Sequence, residues 1–411
     1  MNPPAHLVLL GTAIFLRGAM AFAQPAPVPP PGDPAQPPAE TPPPAEPPQP
    51  PPPPAPAKEE PRSELKLGGF VMGAAYYDTN NNIVRPWLVK VNGEGDRSLD
   101  IDPLPTRLIA MASTRYKGLE GKGHVELDLK IGDAARIRQV FASFGADWGS
   151  VLVGQAYTLV GGWHFIDSYN MDAFFSQGGA WTRQPQVRYT RKIDELSVHV
   201  AVLTFRGMGT VVGIPASVGT AAVVDLPELP YLQARVERAV RGKGFIAAAG
   251  AVGQFEVSFT PAAASPLMAF KKKATAAMGA VDVVLPFGKH KLAAHAFYAR
   301  SGGQSSAVQQ AIAVEADGTL EPVASIGGFI NGVIGLGGGM RLSVFAAIDN
   351  PIDHAGAINV PVERNLVGGA LFAKELLPKL EAGLDVEYAE TKSDPGAFHD
   401  IRTTVGLKYS L

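Results

Sequence analysis

The groups in this sequence that could do chemistry are charged side chains recurring at alternate positions. Glu126 and Asp128 stand two apart in Val125-Glu-Leu-Asp-Leu-Lys-Ile131, so in an extended chain both carboxylates project from one face. Such a pair could hold a cation, or it could answer basic residues on a neighbouring strand. Arg107, Arg115 and Arg188 fall on the polar faces of other alternating stretches, and Arg183 opens one of them. Arg138 lies where the phase is open: Arg136 and Arg138 share a face with Val140, Ala142 and Phe144, while Gln139 and Ser143 lie opposite. Segment 159–182 carries Asp167 and Asp172 among aromatic residues that include Trp163, and it has no Lys or Arg. The chemistry open to such a set is electrostatic: fixed charges that attract, orient or repel a solute.

Bond-making chemistry is not indicated. The sequence has no G-x-S-x-G, P-loop or H-E-x-x-H, so no catalytic residue, metal or cofactor is assigned. Gly335-Leu-Gly-Gly-Gly339 is followed by no helical pattern and reads as strand or turn. The eight His residues show no ligand spacing, and His124 and His199 suit water-facing strand positions. The absence of cysteine excludes a disulfide scaffold and a thiolate metal site. A net charge of −2 argues against a nucleic-acid partner.

The elements that would position these charges have period two. Leu380, Ala382, Leu384, Val386 and Tyr388 oppose Lys379, Glu381, Asp385 and Glu387, and Ile401 to Leu411 alternates in the same way. Sixteen strands are expected: 65–77, 106–117, 122–131, 136–146, 150–158, 183–192, 195–205, 230–241, 244–257, 272–285, 289–300, 324–336, 338–348, 362–375, 378–391 and 398–410. Connections after even strands are short; most after odd strands are long. A soluble sandwich has no reason to keep its long loops at one end, whereas a transmembrane barrel does. A spanning strand needs about 9–11 residues, and a closed barrel pairs every backbone group that hydrocarbon would otherwise strand. The fold class is therefore all-β, a transmembrane antiparallel β-barrel over 64–411. At sixteen strands the interior is wide enough for water. The Gly/Ala-rich stretches 245–253 and 326–339 do not alternate: either they pack against a neighbouring subunit or the strand count there differs.

Ahead of the barrel, Leu7 to Leu16 is a short apolar run followed by Ala21-Phe-Ala23, which reads as a signal peptide over 1–23. Of the 37 prolines, 20 lie between Gln24 and Pro61. Segment 24–63 is expected to be a disordered, polyproline-rich periplasmic tether of roughly 3.1 Å per residue. It is either a spacer or the ligand of a cell-wall or periplasmic partner.

Arg136-Ile-Arg-Gln-Val-Phe-Ala-Ser-Phe-Gly-Ala-Asp-Trp-Gly-Ser-Val-Leu-Val-Gly-Gln-Ala-Tyr-Thr158 resembles the strand–turn–strand signature of Gram-negative trimeric outer-membrane porins. With Arg183-Gln-Pro-Gln-Val-Arg-Tyr189, Leu67-Gly-Gly-Phe70 and Glu126-Leu-Asp128, it is most similar to the DcaP-like porins, chiefly over 65–205. The resemblance implies a sixteen-stranded homotrimer whose third long loop constricts the pore, and passive uptake of small, often anionic, solutes. It implies pore or constriction roles for Arg107, Arg138, Arg183 and Arg188. Two departures stand out: the Pro-rich tract replaces a helical coil, and the chain ends Tyr409-Ser-Leu411 rather than in an aromatic residue.

The expected function is an outer-membrane porin for small hydrophilic solutes, embedded in lipid and lipopolysaccharide, with its arm and C-terminus in the periplasm. Arg107, Arg115, Glu126, Asp128, Arg138, Arg183 and Arg188 would line the pore, and Trp163, Asp167 and Asp172 would stand on the constriction loop. Segment 159–182 could instead sit at a subunit interface, and the barrel could instead be a non-conducting envelope tether.

Overall fold

The structure is a computed structural model. It describes residues 62–80, 95–102, 106–130, 134–161, 166–169, 179–180, 182–204, 210–212, 219–225, 230–263, 268–301, 310–314, 319–353, 362–393 and 396–411. The expected signal peptide and Pro-rich segment, Trp163 and Asp172 lie outside the described residues.

Alternating side chains need two environments, and a closed sheet supplies them. In chain order the strands are β1 (Arg62–Asp78), β2 (Ser98–Asp102), β3 (Arg107–Tyr116), β4 (Leu119–Lys130), β5 (Ala134–Ala146), β6 (Gly149–Tyr157), β7 (Arg183–Ile193), β8 (Leu196–Leu203), β9 (Thr210–Val212), β10 (Gly219–Asp225), β11 (Tyr231–Val240), β12 (Gly244–Pro261), β13 (Phe270–Phe287), β14 (His290–Arg300), β15 (Gln310–Val314), β16 (Leu320–Pro322), β17 (Ala324–Gly337), β18 (Met340–Asp353), β19 (Arg364–Leu377), β20 (Leu380–Ser393) and β21 (Gly396–Ser410). The wall is a closed antiparallel barrel of sixteen strands, formed by β1, β3 to β8, β11 to β14 and β17 to β21. β2 prolongs the β3 edge along β1, and β10 lies on the far half of β12. β9, β15 and β16 form a separate three-stranded sheet. Among the described residues no helix is long and apolar enough to cross a membrane.

Closure falls on β1. Its first half, Arg62–Phe70, pairs with β3 and its second half, Phe70–Asp78, with β21. Gly69 stands at the change of partner with φ 114°, and a Cβ there would lie 2.1 Å from the carbonyl oxygen of Arg107. Leu411 donates its backbone N–H to Gly69 at 3.1 Å, sealing the seam with the last residue. The short connections are tight hairpins. Lys117 and Gly118, both at positive φ (48° and 77°), join β3 to β4, the conformation whose twist matches antiparallel strands.

Polarity is inverted relative to a soluble domain. Val125, Ile137, Val187, Val200, Ile246, Val281, Ile330, Val344, Leu384 and Val405 are exposed on the outer face. Glu126, Asp128, Arg138, Arg188, Arg235, Asp282, Asp385, Glu387 and Arg402 are buried inside. An apolar exterior of this extent suits lipid, not water.

The open phase at Arg138 is settled by a β-bulge. Glu126 pairs with Gln139 and Leu127 with Ile137, so Arg138 is the extra residue. A bulge re-aims side chains: Arg138 and Gln139 are both buried, while Ile137 and Val140 on either side are exposed.

Candidate functional site: the charged inner wall

Among the described residues the inner face carries the Arg402–Asp78 pair between β21 and β1 and three larger charged groups. The first is built on β3, β4 and β5. Arg138 sits in the bulge with its side chain fully buried. Its Nε donates to Glu126 Oε1 at 2.8 Å and its Nη1 to Asp128 Oδ2 at 2.5 Å. Arg136 forks onto Asp128 at 2.9 and 2.6 Å, Gln139 donates to Glu126 at 2.5 Å, and Arg107 pairs with Glu126 at 3.2 Å. The two carboxylates are thus occupied by three guanidinium groups. Burying such ions is offset only when geometry and hydrogen bonds are this complete. Among the described residues no group of His, Asp and Glu has the arrangement to hold a metal.

The second group lies on β7, β11, β13 and β14. Arg188 donates to the Tyr157 carbonyl and, at 3.0 and 2.8 Å, to Gln186 Oε1. Arg183 stands over the Tyr157 ring, 5.8 Å from its centroid. Arg235 holds Asp282, which meets His295 Nδ1 at 2.7 Å. The backbone N–H of Ala180, from segment 159–182, donates to His295 Nε2 at 3.2 Å, and that of Leu159 to Gln233 at 2.7 Å.

The third group lies on β17, β18 and β20. Arg341 reaches Asp167 at 2.7 Å and also pairs with Glu381. Asp167 N–H donates to Asn331 at 3.1 Å, and Ser168 Oγ lies 2.8 Å from Asp385 and 2.7 Å from Glu387. The Tyr169 hydroxyl donates to Glu381 at 2.9 Å, and burial pushes that phenol up to about 12, so it stays a neutral donor. Apolar packing accompanies these bonds. Ile166 is buried with Phe329, Phe345 and Val367, and Tyr169 with Met72, Tyr76 and Leu371. Burying Ile166 alone contributes on the order of 1.5–3 kcal/mol.

The structure therefore gathers Arg107, Glu126, Asp128 and Arg138 into one network and places Arg183 and Arg188 together beside Tyr157. Arg115 is elsewhere: it stands next to the end of β3, its side chain 73% exposed, and meets Glu120 at 3.7 Å. Asp167 faces the inner wall and pairs there with Arg341, a residue not among those expected to line the pore. Arg341 escaped notice because β18 lies far along the chain in a Gly-rich region. The signal available was its phase, with Leu342, Val344, Ala346 and Ile348 on the opposite, apolar face.

No family model matches the chain, and no curated protein matches it by sequence. Solved structures do. The outer membrane channel DcaP of Acinetobacter baumannii superposes with a TM-score of 0.70 at 19% identity, over 85% of this chain and 97% of that one. This chain has the fold of that channel. The Salmonella typhi OmpF complex with daunomycin matches with a TM-score of 0.54 at 15% identity, covering 84% and 97% of the two chains. The trimer form of OmpT, an outer membrane protein of Vibrio cholerae, matches at 0.51 with 11% identity, covering 85% and 99%. At these identities the likeness fixes the barrel fold.

Proposed function

We propose that the protein is a porin of the Gram-negative outer membrane. Small hydrophilic solutes, anions preferred, diffuse passively through its lumen, which segment 159–182 narrows. The carrying observation is the inverted polarity of the barrel: an apolar exterior, and a charged interior against which Ile166–Tyr169 are seated. The short turns, the Pro-rich arm and the C-terminus face the periplasm, with the long connections outside. Segment 1–23 is the signal peptide, and 24–61, which stops short of the expected 63 because Arg62 and Ser63 already pair in β1, tethers the barrel or engages a cell-wall partner. The inner arginines, among them Arg136, Arg341 and Arg107 with 26%, 25% and 16% of their side chains exposed, favour anions. The wall acts by fixed charge, without cofactor, catalysis or nucleic acid.

Homotrimer assembly is supported by the trimeric neighbour and by a dent on the outer face. There Ala110, Ala112, Gly123 and Ala142 lie between Leu65, Val140 and Val153, and small residues let a second wall approach closely. Elsewhere the exterior meets lipid, and exposed Lys271 and Lys273 at the long-connection end meet lipopolysaccharide phosphates.

The second reading, a non-conducting barrel, is favoured by the apolar clusters inside the wall, three of which include residues of segment 159–182. Single-channel recording in planar bilayers decides. Discrete conductance steps are expected, with a reversal potential in a salt gradient that Arg107→Ala moves toward cations. Absence of steps from correctly folded protein would discard the porin reading.

A further inference from the structure

Ser168 Oγ lies within hydrogen-bond distance of two carboxylate oxygens, Asp385 Oδ2 at 2.8 Å and Glu387 Oε1 at 2.7 Å. Both acids are 1% exposed. Each approach of this length needs a hydrogen between the oxygens, and a hydroxyl carries one. The second hydrogen must come from a carboxyl group. Asp385 Oδ2 also accepts the backbone N–H of Tyr169 at 2.6 Å, and Asp385 Oδ1 is buried without a hydrogen-bond partner among the described residues.

We propose that Asp385 and Glu387 share one proton, and that this proton latches residues 166–169 onto β20. With it, one acid donates to Ser168 and Ser168 donates to the other. Without it, Ser168 has one hydroxyl hydrogen for two carboxylates 2.8 and 2.7 Å away, one of the two contacts becomes repulsive, and like charges this close repel strongly in a dry site.

The groups facing the pair come from every neighbouring element. Glu381 stands on β20 itself, Asp167 and Tyr169 on the seated segment, and Arg341 on β18. Opposite Glu387 and Glu381, β21 places Arg402 and Lys408, and Asp78 of β1 holds Arg402 at 2.7 Å. β19 places Gly369 and Leu371 opposite the pair, neither titratable. Two carboxylates sharing a site titrate as a pair, so the proton belongs to both.

The shared proton predicts a protonated-carboxyl carbonyl band in the infrared spectrum of the folded barrel at neutral pH. Glu387→Gln and Asp385→Asn supply the missing hydrogen as an amide, and either should abolish that band. Hydrogen exchange at 166–169 reads the latch. Relative to Glu387→Gln at the same pH, wild-type protection should match while the band is present and fall once it has titrated. Ser168→Ala should show the unlatched exchange at every pH. Conductance should step where the band titrates and lose that step in Glu387→Gln. If wild type shows no such band, or both amide variants leave it unchanged, the shared proton is wrong. If the band is present but exchange does not follow it, the latch is wrong. The infrared and exchange outcomes hold whether or not the barrel conducts, so a failed porin reading is distinguishable from a failed latch.

Discussion

Arg138 ties two acids of the inner wall together. It is enclosed and answers Glu126, Asp128 and the Tyr157 hydroxyl together. Replacing it with Met leaves two buried carboxylates short of their donors, which costs about 3–5 kcal/mol. A urea titration of the detergent-folded barrel should show Arg138→Met unfolding well below wild type, with Arg138→Lys between them because one point charge cannot fork onto both acids. Glu126, Asp128 and Arg138 were each legible in the sequence as candidate wall residues. Their union was not, because Arg138 faces inward beside Gln139 only through a bulge, and strict alternation cannot describe two consecutive inward residues.

At the scale of elements, the sixteen wall strands follow the alternating stretches closely. The expected strand 230–241 is observed as Tyr231–Val240, and 398–410 as Gly396–Ser410. The larger departures are β18, which runs on to Asp353 past the expected 348, and β12, which runs on to Pro261 past the expected 257. There β10 pairs with the exposed edge of β12 and continues the ladder. β2, β9, β10, β15 and β16 carry no alternation long enough to announce them. The seam at β1 depends on Gly69, part of the Leu67-Gly-Gly-Phe70 motif. Gly69→Val puts a branched side chain where a Cβ already meets the Arg107 carbonyl, in a backbone conformation that costs about 1–3 kcal/mol for other residues. The variant should fold poorly, seen as loss of the compact, heat-modifiable band on gels. Ordinary yields of that band would show that the seam tolerates a side chain.

For the whole molecule, the barrel and the arm are expected to be separable. β1 begins at Arg62, and every contact described for the inner wall lies within the barrel. Deleting 24–61 should leave conductance and thermal stability unchanged in reconstituted protein. A fall in either would give the arm a part in the channel itself. The same separation explains the composition: 46% hydrophobic residues with only 18% charged reflects alternate positions facing lipid rather than a conventional core.

Alternation of polarity is a property of neighbouring residues, so the sequence alone determined the barrel, its strand number and its turn asymmetry, but not the inward turn of Arg138 or the place of Arg341. Charge pairing is a property of register and closure. Asp167 and Arg341 are 174 residues apart, and Ser168 and Asp385 are 217 apart. Only the closed sheet brings these groups within hydrogen-bond distance, because the position of each strand on the ring depends on every hairpin before it.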